Sequence, residues 1–213
     1  MKALLLKDWF VMKAQYRFYV LLYLFIGAVG LMSDTGYMNA YAMIIMSTIS
    51  TNLLQNDETC RWLTYADITP LTRKQVVAEK YVMNLLLIGA TCLFMAIFRV
   101  IAGLIHGNLA EAMGEMFSVS CLFMAVGTLM TGVSFPLLFR WGAMKGKVIA
   151  LVLYGVVGGV MAGGYVLLTL QWFIGGTEIN VPLLAVIGAG CLLVVYPLSY
   201  LLSVRWYQGR ELL

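Results

Sequence analysis

Charged residues cut this chain into long apolar blocks. Uncharged runs of at least 16 residues occupy 18–33, 35–56, 81–98, 116–139, 148–177 and 179–204. A hydrocarbon core about 30 Å thick, at 1.5 Å of rise per residue, takes roughly 20 residues of helix. Barrel strands would be about 10 residues long and would alternate apolar with polar positions. The runs do neither, so they predict an all-α membrane protein with six transmembrane helices, near 18–33, 37–56, 81–104, 116–139, 148–170 and 181–204. Residues 18–213 then form a single transmembrane domain.

The segments between the runs carry their own patterns. In residues 1–17, Leu5, Trp9, Met12 and Tyr16 form one narrow helical stripe with Lys2, Lys13 and Arg17 beside it, which predicts a helix lying in the inner membrane interface. Lys7 and Asp8 interrupt the apolar start after four residues and no small-residue cleavage site follows, so a cleavable signal peptide is not expected. The largest polar stretch runs from Gln55 to Lys80, longer and richer in structural signals than a simple connection. It holds Asp57, Glu58, Arg61, Trp62 and Tyr65, and residues 57–66 predict a short cytoplasmic helix. Thr72 with Gln75 three residues on is a capping-box pattern, so a helix should begin at Arg73 and continue into the third span.

Composition and charge narrow the picture. Apolar residues make up 62% and charged residues 11% of 213, and the mean hydropathy is +0.90, values that exclude an ordinary soluble domain. Of the 14 basic residues, all but Arg99 fall on the side that holds the N-terminus, the 55–80 stretch, the 140–147 turn and the C-terminus. Short cytoplasmic loops retain Lys and Arg, so both termini are expected in the cytoplasm. The opposite side carries Asp34, Glu111, Glu115 and Glu178. The basic balance is therefore a topology signal and gives no reason to expect nucleic acid as a partner.

Candidate chemistry is sparse. Cysteines at 60, 92, 121 and 191 lack metal-ligand spacing, and His106 is the only histidine, so no metal site is expected. No G-x-S-x-G elbow occurs, and Gly142 to Val148 is one spacer and a Ser or Thr short of a phosphate loop. No catalytic residues are expected, and the apolar runs hold no charges of the kind that relay ions. Span two carries Asn39, Ser47, Thr48, Thr51 and Asn52, which either bond to neighbouring helices or line a translocation path. Gly155, Gly159 and Gly163, spaced by four, predict close helix packing within the chain or against a second one. Trp62 and Tyr65 share a helical face, as interfacial anchors or as a docking knob for a partner.

The opening Met1-Lys2-Ala3-Leu4-Leu5-Leu6-Lys7-Asp8, then Glu58, Ile68-Thr69-Pro70-Leu71-Thr72-Arg73-Lys74-Gln75-Val76-Val77 and Lys80-Tyr81, resemble small stand-alone permease subunits of ABC-2 type ABC transporters from Gram-positive bacteria. Thr69 stands where that family usually has Leu. The resemblance implies a six-helix half-transporter in the bacterial plasma membrane, paired with a second permease chain, identical or not, and with two copies of a separate ATPase subunit that binds ATP and Mg; closed two-fold pairing makes a homodimer the simpler geometry. Residues 1–17 would be the elbow helix. The loop after span two would hold the coupling helix, with Asp57, Glu58, Arg61, Trp62 and Tyr65 facing the ATPase. Relatives export small amphipathic or antimicrobial peptides, lipids or drugs. A substrate-capturing subunit of a vitamin importer and a membrane-embedded enzyme are the other classes, but the first does not account for the long loop and the second lacks paired catalytic groups.

Overall fold

The computed structural model describes residues 2–32, 38–69, 71–107 and 181–209, and, between 124 and 156, all positions except 126, 143–144, 147, 150 and 153. Among these residues every regular element is helical: α1 (Lys2–Met32), α2 (Met38–Thr59), α3 (Trp62–Ile68), α4 (Arg73–His106), a helical run at 127–142 (α5) and α6 (Val181–Gln208). Of span four, 116–123 and position 126 lie outside the described residues; span five lies largely outside them, only 148–149, 151–152 and 154–156 being described.

Two elements depart from the sequence expectation. No break separates an interfacial helix 1–17 from span one, since α1 is continuous from Lys2 to Met32. The physical reason is that Lys13 to Phe18 contains neither Gly nor Pro, so nothing interrupts the backbone ladder. The expected helix 57–66 is also displaced. Asp57 and Glu58 belong to the last turn of α2, and α3 begins at Trp62. The divide falls at Arg61, whose φ of 54° is left-handed. Such a conformation costs an L-residue about 1–2 kcal/mol and lets the chain reverse between the two helices. The α4 start does follow the pattern: Thr72 accepts from the Gln75 amide and the Gln75 side chain accepts from the Thr72 amide, a complete capping box.

Helices α1, α2 and α4 pack on one another, and α4 also packs on α6. One apolar cluster, including Leu54, Leu63, Val77, Phe135, Phe139 and Tyr207, joins α2 to α6 near the end where α3 sits. A smaller one, Ile26, Ala42 and Met95, ties the other end of α1 to α2 and α4. Close approach occurs at Gly27, where a Cβ would overlap the Phe98 ring. The outer surfaces are apolar: Phe18, Leu21 and Phe25 are each 67% exposed, and Leu86, Leu93, Leu193 and Leu201 are also exposed. Patches of that extent are untenable in water and natural against acyl chains. Among the described residues, α4 is the helix long and apolar enough to cross a bilayer; Arg17–Val29 within α1 is apolar but shorter.

Candidate functional site

The first two turns of α4, residues 73–80, carry four charges, and the apolar stretch begins only at Tyr81. This charged start brings three helices together. Lys80 Nζ lies 2.5 Å from Asp8 Oδ2 of α1, 2.6 Å from Asp57 Oδ2 of α2 and 3.6 Å from Glu79 Oε2. Lys7 Nζ, on α1, lies 3.0 Å from Asp8 Oδ1 and donates to Asp57 Oδ1 at 2.7 Å. Asp8, Glu79 and Lys80 are at most 2% exposed and Asp57 is 5% exposed, so the group is a buried ionic junction.

Its charges do not balance, since three carboxyls face two ammonium groups. Burial pushes Glu79 up to about 9; Lys80 opposes the shift, while the hydrogen bond and charge of Asp8 add to it. Burial also disfavours the Asp8 carboxylate, but the Glu79 hydrogen bond and the charges of Lys80 and Lys7 outweigh it and hold Asp8 below its usual value. Burial alone would lower Lys80, and the carboxylates of Glu79, Asp57 and Asp8 override it and raise it. Glu79 Oε1 is buried without a hydrogen-bond partner. A proton on Glu79 lets it donate to Asp8 and makes the junction neutral, which is the arrangement low polarity favours.

The junction reaches α3 through one contact: the Lys7 ammonium sits 4.7 Å from the centre of the Trp62 ring. Trp62 is half-buried against the large apolar cluster. Tyr65, 5.4 Å away between ring centres, is exposed, and Ile68 is 82% exposed. Thus α3 presents Tyr65 and Ile68 outward while its other side is fixed by Leu63 and Ala66. On the far side of α4, Arg73 donates to the Tyr207 carbonyl at 3.0 Å and the Gln208 carbonyl at 3.2 Å, satisfying the last turn of α6 and complementing its dipole.

Just inside this layer is a second polar one. Tyr81 Oη lies 2.6 Å from Ser199 Oγ and 2.8 Å from Ser203 Oγ. Asn84 Nδ2 donates to Thr131 Oγ1 at 2.9 Å and to Tyr196 Oη at 3.2 Å, and Tyr196 Oη donates to the Tyr81 carbonyl at 2.8 Å. These bonds connect α4, α5 and α6.

The sequence-derived candidates separate accordingly. Trp62 and Tyr65 come together on α3 and Arg61 is exposed at its start, whereas Asp57 turns inward to the junction and Glu58 is half-buried on α2. Ser47 is buried and engaged. Thr48 and Thr51 are half-buried and return their hydroxyls to Ile45 and Thr48 carbonyls of their own helix, which removes the need for interhelical partners. Asn52 is half-buried, and the Asn39 side chain lies outside the described residues. A Cβ on Gly155 would meet nothing within 4 Å; Gly159 and Gly163 lie outside the described residues. Sequence reasoning missed the junction itself, because Lys7, Asp8, Glu79 and Lys80 read as loop or interface charges. The available signal was the placement of opposite charges at the same end of α1, α2 and α4. Ile68 was missed as well.

A search of curated proteins finds no match. The sequence profile of a family described as ABC-2 family transporter protein matches residues 3–208.

Proposed function

Because the chain belongs to the ABC-2 transporter family, and is thus an integral membrane permease component that works with an ABC ATPase, we propose that it is the six-span half of an exporter in which α3 is the coupling helix. The observation that carries this reading is the outward pair of Tyr65 and Ile68 on a helix anchored from behind. An apolar knob at the charged end of a membrane protein fits a protein partner better than water. Two ATPase subunits, each holding ATP and Mg, would act on a pair of identical permeases in the bacterial plasma membrane. The gathering of Lys7, Arg73 and Lys80 at one end supports a cytoplasmic N-terminus. The proposed cargo is a small amphipathic peptide, moved outward along a path between the two copies, and the 14 Met and 27 aromatic residues suit an adaptable apolar route.

The test is a change on the free face of α3. Tyr65→Ala combined with Ile68→Ser should weaken ATPase capture about 30-fold, the scale of one interface hot spot, and stop ATP-dependent peptide export while the fold persists. Trp62→Ala is a less specific variant, since Trp62 also packs inward. Normal capture and export by the double variant would refute α3 as the coupling element.

A further inference from the structure

An apolar groove of about 560 Å³ opens beside α1, within the roughly 300–1,000 Å³ usual for small-ligand sites. Met46 and Ile49 of α2, Ala90 of α4 and Met12 and Val20 of α1 line it. Hydroxyls in the wall are already committed to the protein: Tyr23 Oη lies 3.2 Å from the Ala42 carbonyl and 3.2 Å from Thr91 Oγ1, and Thr91 donates to the Leu87 carbonyl at 3.0 Å. The deep part of the groove therefore asks for a body without polar groups.

The α1 side of the groove is different. Lys13 lines the groove, and Arg17 follows one helical turn later on the same face. Both are exposed, and among the described residues neither has an ion pair. Along α1 the lining runs from Trp9 to Tyr23, about 21 Å at 1.5 Å per residue, and the part beyond Lys13 is about 15 Å, half of a hydrocarbon core about 30 Å thick. That part has the depth of one leaflet, with two unneutralised cations about one and two turns in from the end of the groove nearer the ionic junction.

We propose that this groove is a binding site for one anionic phospholipid of the inner leaflet, its acyl chain lying between α1 and α4 and its phosphate held by Lys13 and Arg17. An acyl chain gains little by exchanging lipid neighbours for apolar side chains, so selectivity rests on the headgroup. A zwitterionic headgroup would set its own ammonium against the same two cations. The expected discrimination is about fivefold for each cation near the membrane surface. The inference takes its leaflet from the cytoplasmic N-terminus of the proposed function but nothing from α3, and it is read without an ATPase, so its failure and that of the coupling reading are separable.

The full chain, held in mixed micelles with equal phosphatidylglycerol and phosphatidylcholine, is examined by native mass spectrometry for the first lipid bound. Phosphatidylglycerol should predominate by about 25-fold, two cations acting together. Lys13→Ala with Arg17→Ala, both at exposed positions, should bring the ratio near one. Ala90→Trp on α4 and Val20→Trp on α1 should each remove the first adduct by filling the groove. Equal first binding of both lipids overturns the proposal, as does an unchanged preference in the double alanine variant or retention of the adduct by both tryptophan variants. Disulfide formation between two copies of an Ala90→Cys chain, with no first adduct, would assign the groove to a permease interface and equally overturn it.

Discussion

Glu79 governs how the ionic junction responds to pH. Its folded pKa, about 9, is raised above the ordinary carboxyl value, so the folded chain holds one proton more than the unfolded chain between about pH 4.5 and 9. The stabilising contribution is fully present below the lower value and is lost as pH rises toward the upper one. Asp8 has the opposite sign, since its pKa is lowered, and its contribution fades only in acid. From pH 6 to 9 the unfolding free energy of the purified chain should therefore fall by at most about 1.4 kcal/mol per pH unit, and its melting temperature with it. Glu79→Gln keeps a neutral donor toward Asp8 and should flatten that slope; the same slope in the variant would count against the proton. Lys80→Met, which strands the carboxyls around it, should destabilise the chain by about 3–5 kcal/mol in a denaturant melt, and a change below 1 kcal/mol would mean the junction is wetter than its burial indicates.

Element boundaries show which information is local. The start of α4 was legible because Thr72 and Gln75 cap within a single turn, and the apolar blocks followed from length. The continuity of α1 and the shift of α3 to Trp62–Ile68 were not, because an amphipathic stripe at 1–17 resembles an interfacial helix whether or not the axis continues, and a left-handed Arg61 has no signature like that of glycine. In α2 the residue types were legible but their orientation was not. Cysteines substituted for Thr48, Thr51 and Asn52 should react with a water-soluble thiol reagent added from the cytoplasm, because these positions are half-buried, while one at buried Ser47 should resist. Resistance at all four positions would leave α2 a packing element alone.

Across the whole molecule, what escaped the sequence was long-range pairing. Asp57 is 50 positions from Lys7, and Lys80 is 72 from Asp8, separations that no periodicity encodes. Charge asymmetry between the two faces, by contrast, needs no pairing to be read. If two copies share one outward mouth, the acidic residues Glu111, Glu115 and Glu178, which lie outside the described residues, should draw a cationic cargo through it, within the roughly 8 Å reach of charges at physiological salt. Neutralising the three together should slow export of a cationic peptide several-fold more than that of a neutral one in inverted vesicles. Equal rates for the two cargoes would reduce those acids to markers of topology.

The unbroken α1 has a mechanical corollary. Its 31 residues make a rod about 46 Å long at 1.5 Å per residue, clamped near one end by Asp8 and Lys7 and seated near the other at Gly27 against Phe98. A rod without a hinge cannot absorb a push where it is struck. A tilt of about 5° imposed at the clamped end would carry the distal tip roughly 4 Å sideways over that length, so that, if α3 is the coupling helix, the rod would act as a lever and turn a push arriving through Trp62 and Lys7 into displacement at its far end.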